Sequence, residues 1–119
     1  MAKAQRPQRG EIWRVRFDPS VGAEIRKDRP AVVVSVNTVG VLPLRIVVPL
    51  TDWQSSFAHL PWFVYLPMTA TNGLTKDSGG DTFQVKSVSE NRFISYVGAV
   101  TSAQLDELAA AMAMCVGAP

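Results

Sequence analysis

The first predicted strand alternates apolar and basic residues: Trp13, Val15 and Phe17 are separated by Arg14 and Arg16. Successive side chains of a β-strand point to opposite faces, so this alternation predicts a half-buried strand that begins near residue 11. Its apolar face is expected to enter a core. Its other face therefore presents arginines to solvent.

Five further segments are rich in β-branched, aromatic or other apolar residues, as strands are. Their ranges are 31–36, 44–50, 62–66, 82–86 and 93–97. Turn signals separate several of them, namely a turn near Gly40, Asn72-Gly73 and Gly79-Gly80. The first two of these segments are mostly apolar, so we expect them at the centre of a sheet.

A charged segment without hydrophobic periodicity joins the first two predicted strands. Residues 18–29 include Asp18-Pro19-Ser20 and Gly22, which are turn-forming residues. Structureless loops of this length are uncommon in compact domains unless they carry function. We therefore expect this loop to contribute to a site.

The last predicted element is a helix. Thr101 and Gln104 form a capping-box pattern, and apolar residues recur at helical spacing before Gly117: Leu105, Leu108, Ala109, Met112 and Val116. Many short strands followed by one amphipathic helix predict a mainly β (α+β) fold. We expect a small, strongly bent sheet or barrel with the C-terminal helix packed on it.

The 119 residues are 47% hydrophobic and 18% charged, which suits one compact domain. Residues 1–8 are expected to form a flexible N-terminal arm, which leaves 9–119 as a single domain. No apolar run approaches the roughly 20 residues that cross a bilayer, and the N-terminus lacks the apolar segment of a signal peptide. These features favour a cytoplasmic protein.

Charge is distributed unevenly although the formal net charge is only +2. Residues 1–45 hold nine basic and four acidic residues, a net charge of +5, whereas the rest holds three basic and six acidic residues, a net charge of −3. A basic N-terminal part is the pattern expected of a protein that binds phosphate groups, although it also suits an ordinary solvated surface.

Several kinds of catalytic site lack the residues they require. One cysteine, Cys115, and one histidine, His59, cannot supply a Cys/His zinc site. The chain has no Gly-x-Ser-x-Gly elbow, no Gly-x-x-x-x-Gly-Lys-Ser/Thr phosphate loop and no acidic cluster typical of a two-metal nuclease. We therefore expect neither a metal nor another cofactor.

Cleavage of RNA by the ribose 2′-OH needs only a proton acceptor, charge stabilisation at phosphorus and a proton for the leaving oxygen. Arg29 directly precedes a predicted buried strand; its guanidinium stays charged and can grip two phosphate oxygens, so it suits the second task and is a possible proton donor. Thr51 follows another strand and can hydrogen-bond phosphate oxygens. Glu24 is the available carboxylate for the base.

Several motifs in order resemble the MazF/PemK family of toxins. They are Arg9-Gly10-Glu11-Ile12-Trp13, Phe17-Asp18-Pro19, the stretch from Gly22 to Ser35 with Arg29-Pro30-Ala31-Val32, then Val48-Pro49-Leu50-Thr51, Asn72-Gly73-Leu74, Lys76-Asp77-Ser78 and Gln84-Val85-Lys86-Ser87-Val88. The resemblance spans roughly residues 9 to 116. Several ordered motifs are far more specific than any one of them.

The resemblance implies an SH3-like barrel with a C-terminal helix, working as a homodimer. It implies a ribosome-independent, metal-free endoribonuclease that cuts single-stranded RNA, the toxin of a toxin–antitoxin pair. Arg29 and Thr51 match the family's principal catalytic pair, and Glu24 lies in its loop motif. RNA contacts are expected from Lys27, Gln84 and Lys86. The implied partner is a MazE-like antitoxin whose acidic, disordered tail folds onto the basic groove.

Two aromatic positions and one exposed arginine extend these expectations. Trp53 follows Thr51 closely and is a candidate for stacking on a base, or for contacting the antitoxin, unless it is a hydrophobic plug. Arg16 is added to the RNA-binding set because the first strand presents it to solvent. Phe83 stands where family members often have an acidic residue, which leaves base preference open.

Two other functions remain open at this point. A CcdB-type toxin resembles this fold but poisons a topoisomerase and does not cut RNA; its activity depends on C-terminal residues unlike the Cys115-Val-Gly-Ala-Pro119 found here. A non-catalytic RNA- or DNA-binding SH3-like module is the second alternative. The Arg29-Pro-Ala-Val motif favours the nuclease over both.

Overall fold

A computed structural model describes residues 6–39 and 41–118. Its regular structure comprises seven strands and one α-helix within these ranges, connected by loops and four short 3-10 helices. The strands are β1 Glu11–Arg16, β2 Asp28–Val33, β3 Leu44–Asp52, β4 Phe63–Leu66, β5 Ser78–Asp81, β6 Lys86–Ser89 and β7 Phe93–Ala99, and helix α1 is Ser102–Cys115. The mainly β fold with a C-terminal helix is confirmed.

The strands form one antiparallel sheet in the order β4-β5-β3-β2-β1-β7. The nine-residue β3 connects its two parts, because its first half pairs with β6 and its last three residues pair with β5 along the same edge. The sheet is strongly bent, but among the described strands it stays open between β4 and β7 and does not close into the predicted barrel.

Both faces of the central strands are buried. Val32 belongs to one apolar cluster with Leu50 and Leu108 of the helix, whereas the neighbouring Val33 belongs to a second cluster with Trp13 and Phe17. A strand covered on both faces needs apolar residues at consecutive positions. This is why residues 31–34 form a continuous apolar run instead of alternating.

The predicted helix is confirmed, with one change to its buried face. Thr101 accepts a hydrogen bond from the backbone N–H of Gln104, and the Gln104 side chain accepts one from the N–H of Thr101, so the capping box is present. Leu108 is fully buried and Ala111 is nearly so, whereas Val116 is 78% exposed. The expectation for Val116 was wrong because the helix ends at Cys115.

The predicted strand over residues 82–86 was wrong. Thr82–Gln84 forms a 3-10 helix, which the carboxylate of Asp81 caps by accepting the N–H of Phe83, and β6 begins only at Lys86. Gly79 and Gly80 lie inside β5 and do not form the predicted turn. A Cβ at Gly79 would lie 3.1–3.2 Å from three aromatic rings, so a side chain there would require these rings to move by a few tenths of an ångström.

The other predicted strands are confirmed within a few residues, the largest shift being β2, which spans Asp28–Val33 instead of residues 31–36. The predicted turn at Asn72-Gly73 is present, with Gly73 in the left-handed region at φ +67°. Gly40 lies outside the described residues. No helix in the described part of the chain is long and apolar enough to cross a membrane.

The described part of the predicted N-terminal arm contacts the domain. Pro7 is buried, and its carbonyl accepts a hydrogen bond from Nε of Arg45 at 2.9 Å. Arg45 and Arg6 both pair with the carboxylate of Glu90, at 2.9 and 2.8 Å. Residues 1–5 lie outside the described residues, and the division of the chain into an arm over 1–8 and a domain over 9–119 stays a prediction.

Candidate active site

Arg29 and Thr51 lie opposite each other on adjacent strands. β2 and β3 pair with Ala31 against Pro49 and Val33 against Val47. Continued by two residues, this register places Arg29 opposite Thr51, and the Nη1 of Arg29 donates a hydrogen bond to Oγ1 of Thr51 at 3.4 Å. Two residues 22 positions apart in sequence are thus mounted together on the sheet.

The Arg29 guanidinium is held from a second direction. Its Nε donates to the backbone carbonyl of Arg26 at 2.8 Å. Arg26 belongs to the loop before β2, so one side of the guanidinium is fixed by the loop and the other by β3. A charged group held this way needs little reorganisation when an anion binds.

Arg29 and Thr51 line a cavity of about 340 Å³ between the ends of β2 and β3 and the loop over residues 73–76. Six of its other lining residues carry charge or a hydroxyl: Arg14, Asp28, Asp52, Thr75, Lys76 and Ser78. Three cations and two carboxylates therefore face one cavity. Lys76 and Asp52 pair across it at 3.3 Å.

The loop before β2 is ordered by its own side chains. Glu24 accepts a hydrogen bond from the N–H of Val21 at 2.7 Å, and Arg26 donates to the carbonyl of Gly22 at 3.0 Å. Lys27 adopts the left-handed conformation at φ 70°, and its carbonyl accepts the N–H of Phe17 at 3.0 Å. This backbone kink directs the chain from the loop into β2.

A second cavity, of about 460 Å³, lies between this loop and the chain around β6. It is lined by Ala23, Glu24, Ile25, Phe83, Gln84, Val85 and Lys86. The structure thus brings together Glu24, Gln84 and Lys86, all predicted site residues. It places Glu24 here and not among the residues that line the Arg29 cavity.

Phe83 is the most exposed aromatic side chain of this second cavity, with 69% of its surface accessible. Its ring centroid lies 6.2 Å from that of Trp62. Sequence reasoning noted Phe83 only as a departure from the family pattern, since exposure cannot be read from a single residue.

Trp53 and Arg16 lie outside both cavities. Trp53 packs edge to face on Phe57 at 5.6 Å and against Tyr65 at 4.8 Å, in an aromatic cluster that covers Gly79. Its half-buried ring supports the hydrophobic plug over base stacking. Arg16 is exposed, 3.8 Å from the carboxylate of Asp28.

Two titratable groups among the described residues, Asp81 and Tyr65, have shifted pKa values. Burial raises the pKa of Asp81 above the ordinary 3.8, although hydrogen bonds from Phe83 and Gln84 act in the opposite direction. The hydrogen bond that Tyr65 donates to Asp77, at 3.1 Å, raises the pKa of the tyrosine. Within residues 6–39 and 41–118, no cluster of three or more His, Cys, Asp or Glu side chains is placed to hold a metal ion.

Sequence reasoning found Arg29 and Thr51 but missed two of the cations beside them. Arg14 reaches the cavity from β1, where its Nη2 donates to the carbonyl of Asp28 at 3.4 Å, and Lys76 comes from the loop after Gly73. Arg14 was recognised as solvent-facing, but its proximity to Arg29 follows only from the pairing of β1 with β2. Lys76 belongs to the Lys76-Asp77-Ser78 motif, but that motif alone did not predict its position beside Arg29.

Comparison with known proteins identifies the family. The family described as PemK-like, MazF-like toxin of type II toxin–antitoxin systems matches residues 8–115. The endoribonuclease MazF9 of Mycobacterium tuberculosis is 36% identical over 107 residues, which cover 85% of this chain and 88% of that protein. The chain therefore belongs to the PemK/MazF toxin family, as the sequence motifs predicted.

Solved structures show the same fold at lower identity. MazF from Deinococcus radiodurans superposes with a TM-score of 0.82 at 22% identity, over 96% of this chain and 99% of that one. A mycobacterial endoribonuclease solved in complex with its cognate antitoxin gives a TM-score of 0.75 at 20% identity, over 95% and 97% of the two chains. The MazF-like fold is thereby confirmed, with the sheet of described strands strongly bent but open.

Proposed function

We propose that this MazF-like toxin is a ribosome-independent, metal-independent endoribonuclease that cuts single-stranded RNA, with Arg29 and Thr51 as the catalytic pair. The observation that carries the proposal is the cross-strand pair itself: a charged guanidinium and a hydroxyl, 3.4 Å apart, on the floor of a cavity lined by further cations. Similarity to an endoribonuclease at 36% identity supports the same activity.

The reaction that suits these groups is attack of the ribose 2′-OH on the adjacent phosphorus. The 2′-oxygen forms a new bond to phosphorus, the bond to the 5′-oxygen breaks, and the products carry a 2′,3′-cyclic phosphate and a 5′-hydroxyl. Arg29 stabilises the negative charge that develops on the phosphate oxygens and is the proposed proton donor for the leaving oxygen. Thr51 positions those oxygens by hydrogen bonding.

The proton of the 2′-OH requires an acceptor. Glu24 was the predicted base, but its carboxylate accepts the N–H of Val21 and lines the neighbouring cavity. Asp28 and Asp52 line the Arg29 cavity itself, so two carboxylates lie closer to the catalytic pair in the fold. Replacing each by its amide identifies the base, since loss of the acceptor slows cleavage without weakening RNA binding.

The second cavity continues the proposed RNA path along Gln84 and Lys86, which line it, whereas Lys27 lines neither cavity and lies two residues beyond Ile25 on the loop. Lys86 supplies a cation for the phosphate backbone. Phe83 provides an exposed ring on which an unpaired base can stack, a contact worth roughly 1–3 kcal/mol. Phe83 thus takes the stacking role considered for Trp53. Family members often have an acidic residue at this position, so Phe83 replaces a negative charge with apolar surface.

The partners proposed from the family are a second copy of the chain and an antitoxin. Leu44 and Ile46 of β3 are each more than 40% exposed although they are large and apolar, which supports an interface there. Related folds have been solved with antitoxins bound, and the cations around Arg29 suit an acidic, disordered tail. A toxin acting on messenger RNA would work in the cytoplasm.

One chemical substitution tests the reaction. An RNA oligonucleotide that the protein cuts at a single position is compared with the same oligonucleotide carrying one 2′-deoxyribose immediately 5′ to the scissile bond. Loss of cleavage at that bond, with unchanged binding, is the expected result because the nucleophile is absent. Cleavage of the deoxy-substituted bond would show that water, not the 2′-OH, is the nucleophile.

A further inference from the structure

The side chain of Gln84 is occupied by protein backbone. Its Oε1 accepts a hydrogen bond from the N–H of Ile25 at 2.5 Å, and its Nε2 donates to the carbonyl of Ala23 at 3.4 Å. The amide thus bridges two peptide groups of the loop before β2, about 60 positions away in sequence. A residue engaged in this way is not simply presented to RNA.

We propose that Gln84 is a positioning residue for catalysis: its amide clamps the loop over residues 18–27, and through this loop it orients the guanidinium of Arg29. This role deepens the proposed endoribonuclease function and replaces direct RNA contact as the main task of Gln84. The consequence is that Gln84 acts on the rate of the chemical step more than on RNA affinity.

The clamp has a rigid base. Gln84 ends the 3-10 helix that Asp81 caps, and the fully buried Thr82 at its start donates a hydrogen bond to the carbonyl of Trp62 at 2.6 Å. Val85, the next residue, packs on the apolar cluster beneath the helix. The position of the Gln84 side chain is therefore set by the core, so the loop must adapt to it and not the reverse.

The connection from the clamp to Arg29 is short and continuous. Ile25, whose N–H is bound by Gln84, also packs its side chain on the second apolar cluster. The next residue, Arg26, supplies the carbonyl that accepts the Nε of Arg29 at 2.8 Å. The acceptor that fixes one side of the catalytic guanidinium is thus one residue away from the clamped peptide group.

Removing the clamp should free this segment. The net stabilisation from two hydrogen bonds corresponds to roughly a tenfold to hundredfold change in the population of the locally opened loop. The Arg29 guanidinium would keep its charge and its contact with Thr51. The Arg26 carbonyl that accepts its Nε would no longer be held in one position. Small misplacements of a catalytic group lower the rate of the chemical step markedly.

The test uses Gln84→Met, which keeps length but removes both hydrogen bonds to the loop and the side-chain contact with Asp81, and Gln84→Glu, which keeps the acceptor for Ile25 but loses the donor to Ala23 and to Asp81. Gln54→Met is the matched control, because Gln54 is exposed and its side chain makes no capping hydrogen bond. Limited trypsin digestion of the RNA-free protein measures cleavage after Arg26. The rate of cleavage after Arg45, which is buried in β3, reports global unfolding in the same sample.

We expect Gln84→Met to raise cleavage after Arg26 about tenfold or more, Gln84→Glu to raise it less, and Gln54→Met to leave it unchanged, with cleavage after Arg45 constant in all three. In single-turnover RNA cleavage, Gln84→Met should lower the maximal rate with RNA affinity within about twofold of wild type. Unchanged digestion together with weakened RNA affinity would overturn the proposal in favour of direct RNA contact.

The digestion is performed without RNA, so it tests the clamp even if the protein proves not to be a nuclease. If the wild-type protein cuts no RNA, the proposed function fails while the loop measurement stands. If Gln84→Met proves globally unstable, Gln84→Glu supplies the digestion and rate comparison. Equal digestion of Gln84→Glu and wild type would then overturn the clamp.

Discussion

Replacement of Arg29 should abolish nearly all cleavage while leaving the fold intact. A guanidinium has five N–H groups; among the described contacts Arg26 and Thr51 take one each, so three remain for substrate. A bidentate grip on a phosphate needs two, which this geometry permits. Loss of a single positioned transition-state donor lowers kcat by about 10²–10³, so Arg29→Ala should cost at least about 10³.

Conservative variants separate charge from geometry. Arg29→Lys keeps a positive charge but cannot hold the Arg26 carbonyl and grip two phosphate oxygens together, so we expect a loss of about 10–100-fold. Thr51→Val keeps shape without the hydroxyl and should cost a similar factor, whereas Thr51→Ser should remain near wild type. The double variant of Arg29→Ala and Thr51→Val should be about as slow as Arg29→Ala alone, because the two residues act as a unit.

The assay is single-turnover cleavage of an end-labelled RNA in EDTA, with urea unfolding of each variant beside it. Arg29 makes two net hydrogen bonds, so its loss should cost no more than about 1–3 kcal/mol of stability. Arg6→Ala is the matched control, since Arg6 also makes two contacts but lines neither cavity. A folded Arg29→Ala within tenfold of wild type, or additive effects in the double variant, would refute the reasoning.

Three further predictions concern stability. Gly98→Ala should destabilise the protein by about 3 kcal/mol or more in urea unfolding, because the added Cβ would lie 2.3 Å from the carbonyl oxygen of Asn72; a loss below about 1 kcal/mol would contradict the tight approach. Glu90→Gln should cost about 2–3 kcal/mol by leaving the buried Arg45 guanidinium without its carboxylate, with RNA cleavage by the folded enzyme unchanged. Asp81→Asn should be more stable than wild type near neutral pH, and the difference should vanish below about pH 3.8. Because burial raises the pKa of Asp81 in the folded state, the native protein holds more protons than the unfolded protein. The stability of the wild type therefore falls as the pH rises above 3.8. A pH-independent difference would exclude this cause.

Local patterns predicted most elements of the fold because those elements follow from local chemistry. The alternation around Trp13 and the Thr101–Gln104 capping box each specify an element without help from distant residues. Closure of the sheet does not follow in this way, since it depends on how β3 divides its pairing between β5 and β6. The predicted strand at residues 82–86 failed for a related reason: the Asp81 cap and burial of Thr82 override the β-propensity of Thr and Phe there.

The candidate site was likewise only partly predictable from the sequence. The proximity of Arg29 and Thr51 could be predicted because both lie in ordered motifs that resemble the family, and the pairing of β2 with β3 brings them together. The separation of Glu24 from that pair could not, because the course of the loop depends on hydrogen bonds to Gln84, which lies on a distant segment. The exposure of Phe83 likewise results from the 3-10 helix that replaced a predicted strand.

The most direct test of metal-independent attack by the 2′-OH is incubation of the purified, folded protein with a long single-stranded RNA in excess EDTA, followed by mapping of the cut sites and their ends. We predict cuts at one short motif that leave 5′-hydroxyl and 2′,3′-cyclic or 3′-phosphate ends. Absence of cleavage would contradict the account and favour a topoisomerase poison or a binding module, whereas cleavage that requires added metal and leaves 5′-phosphates would contradict the proposed chemistry.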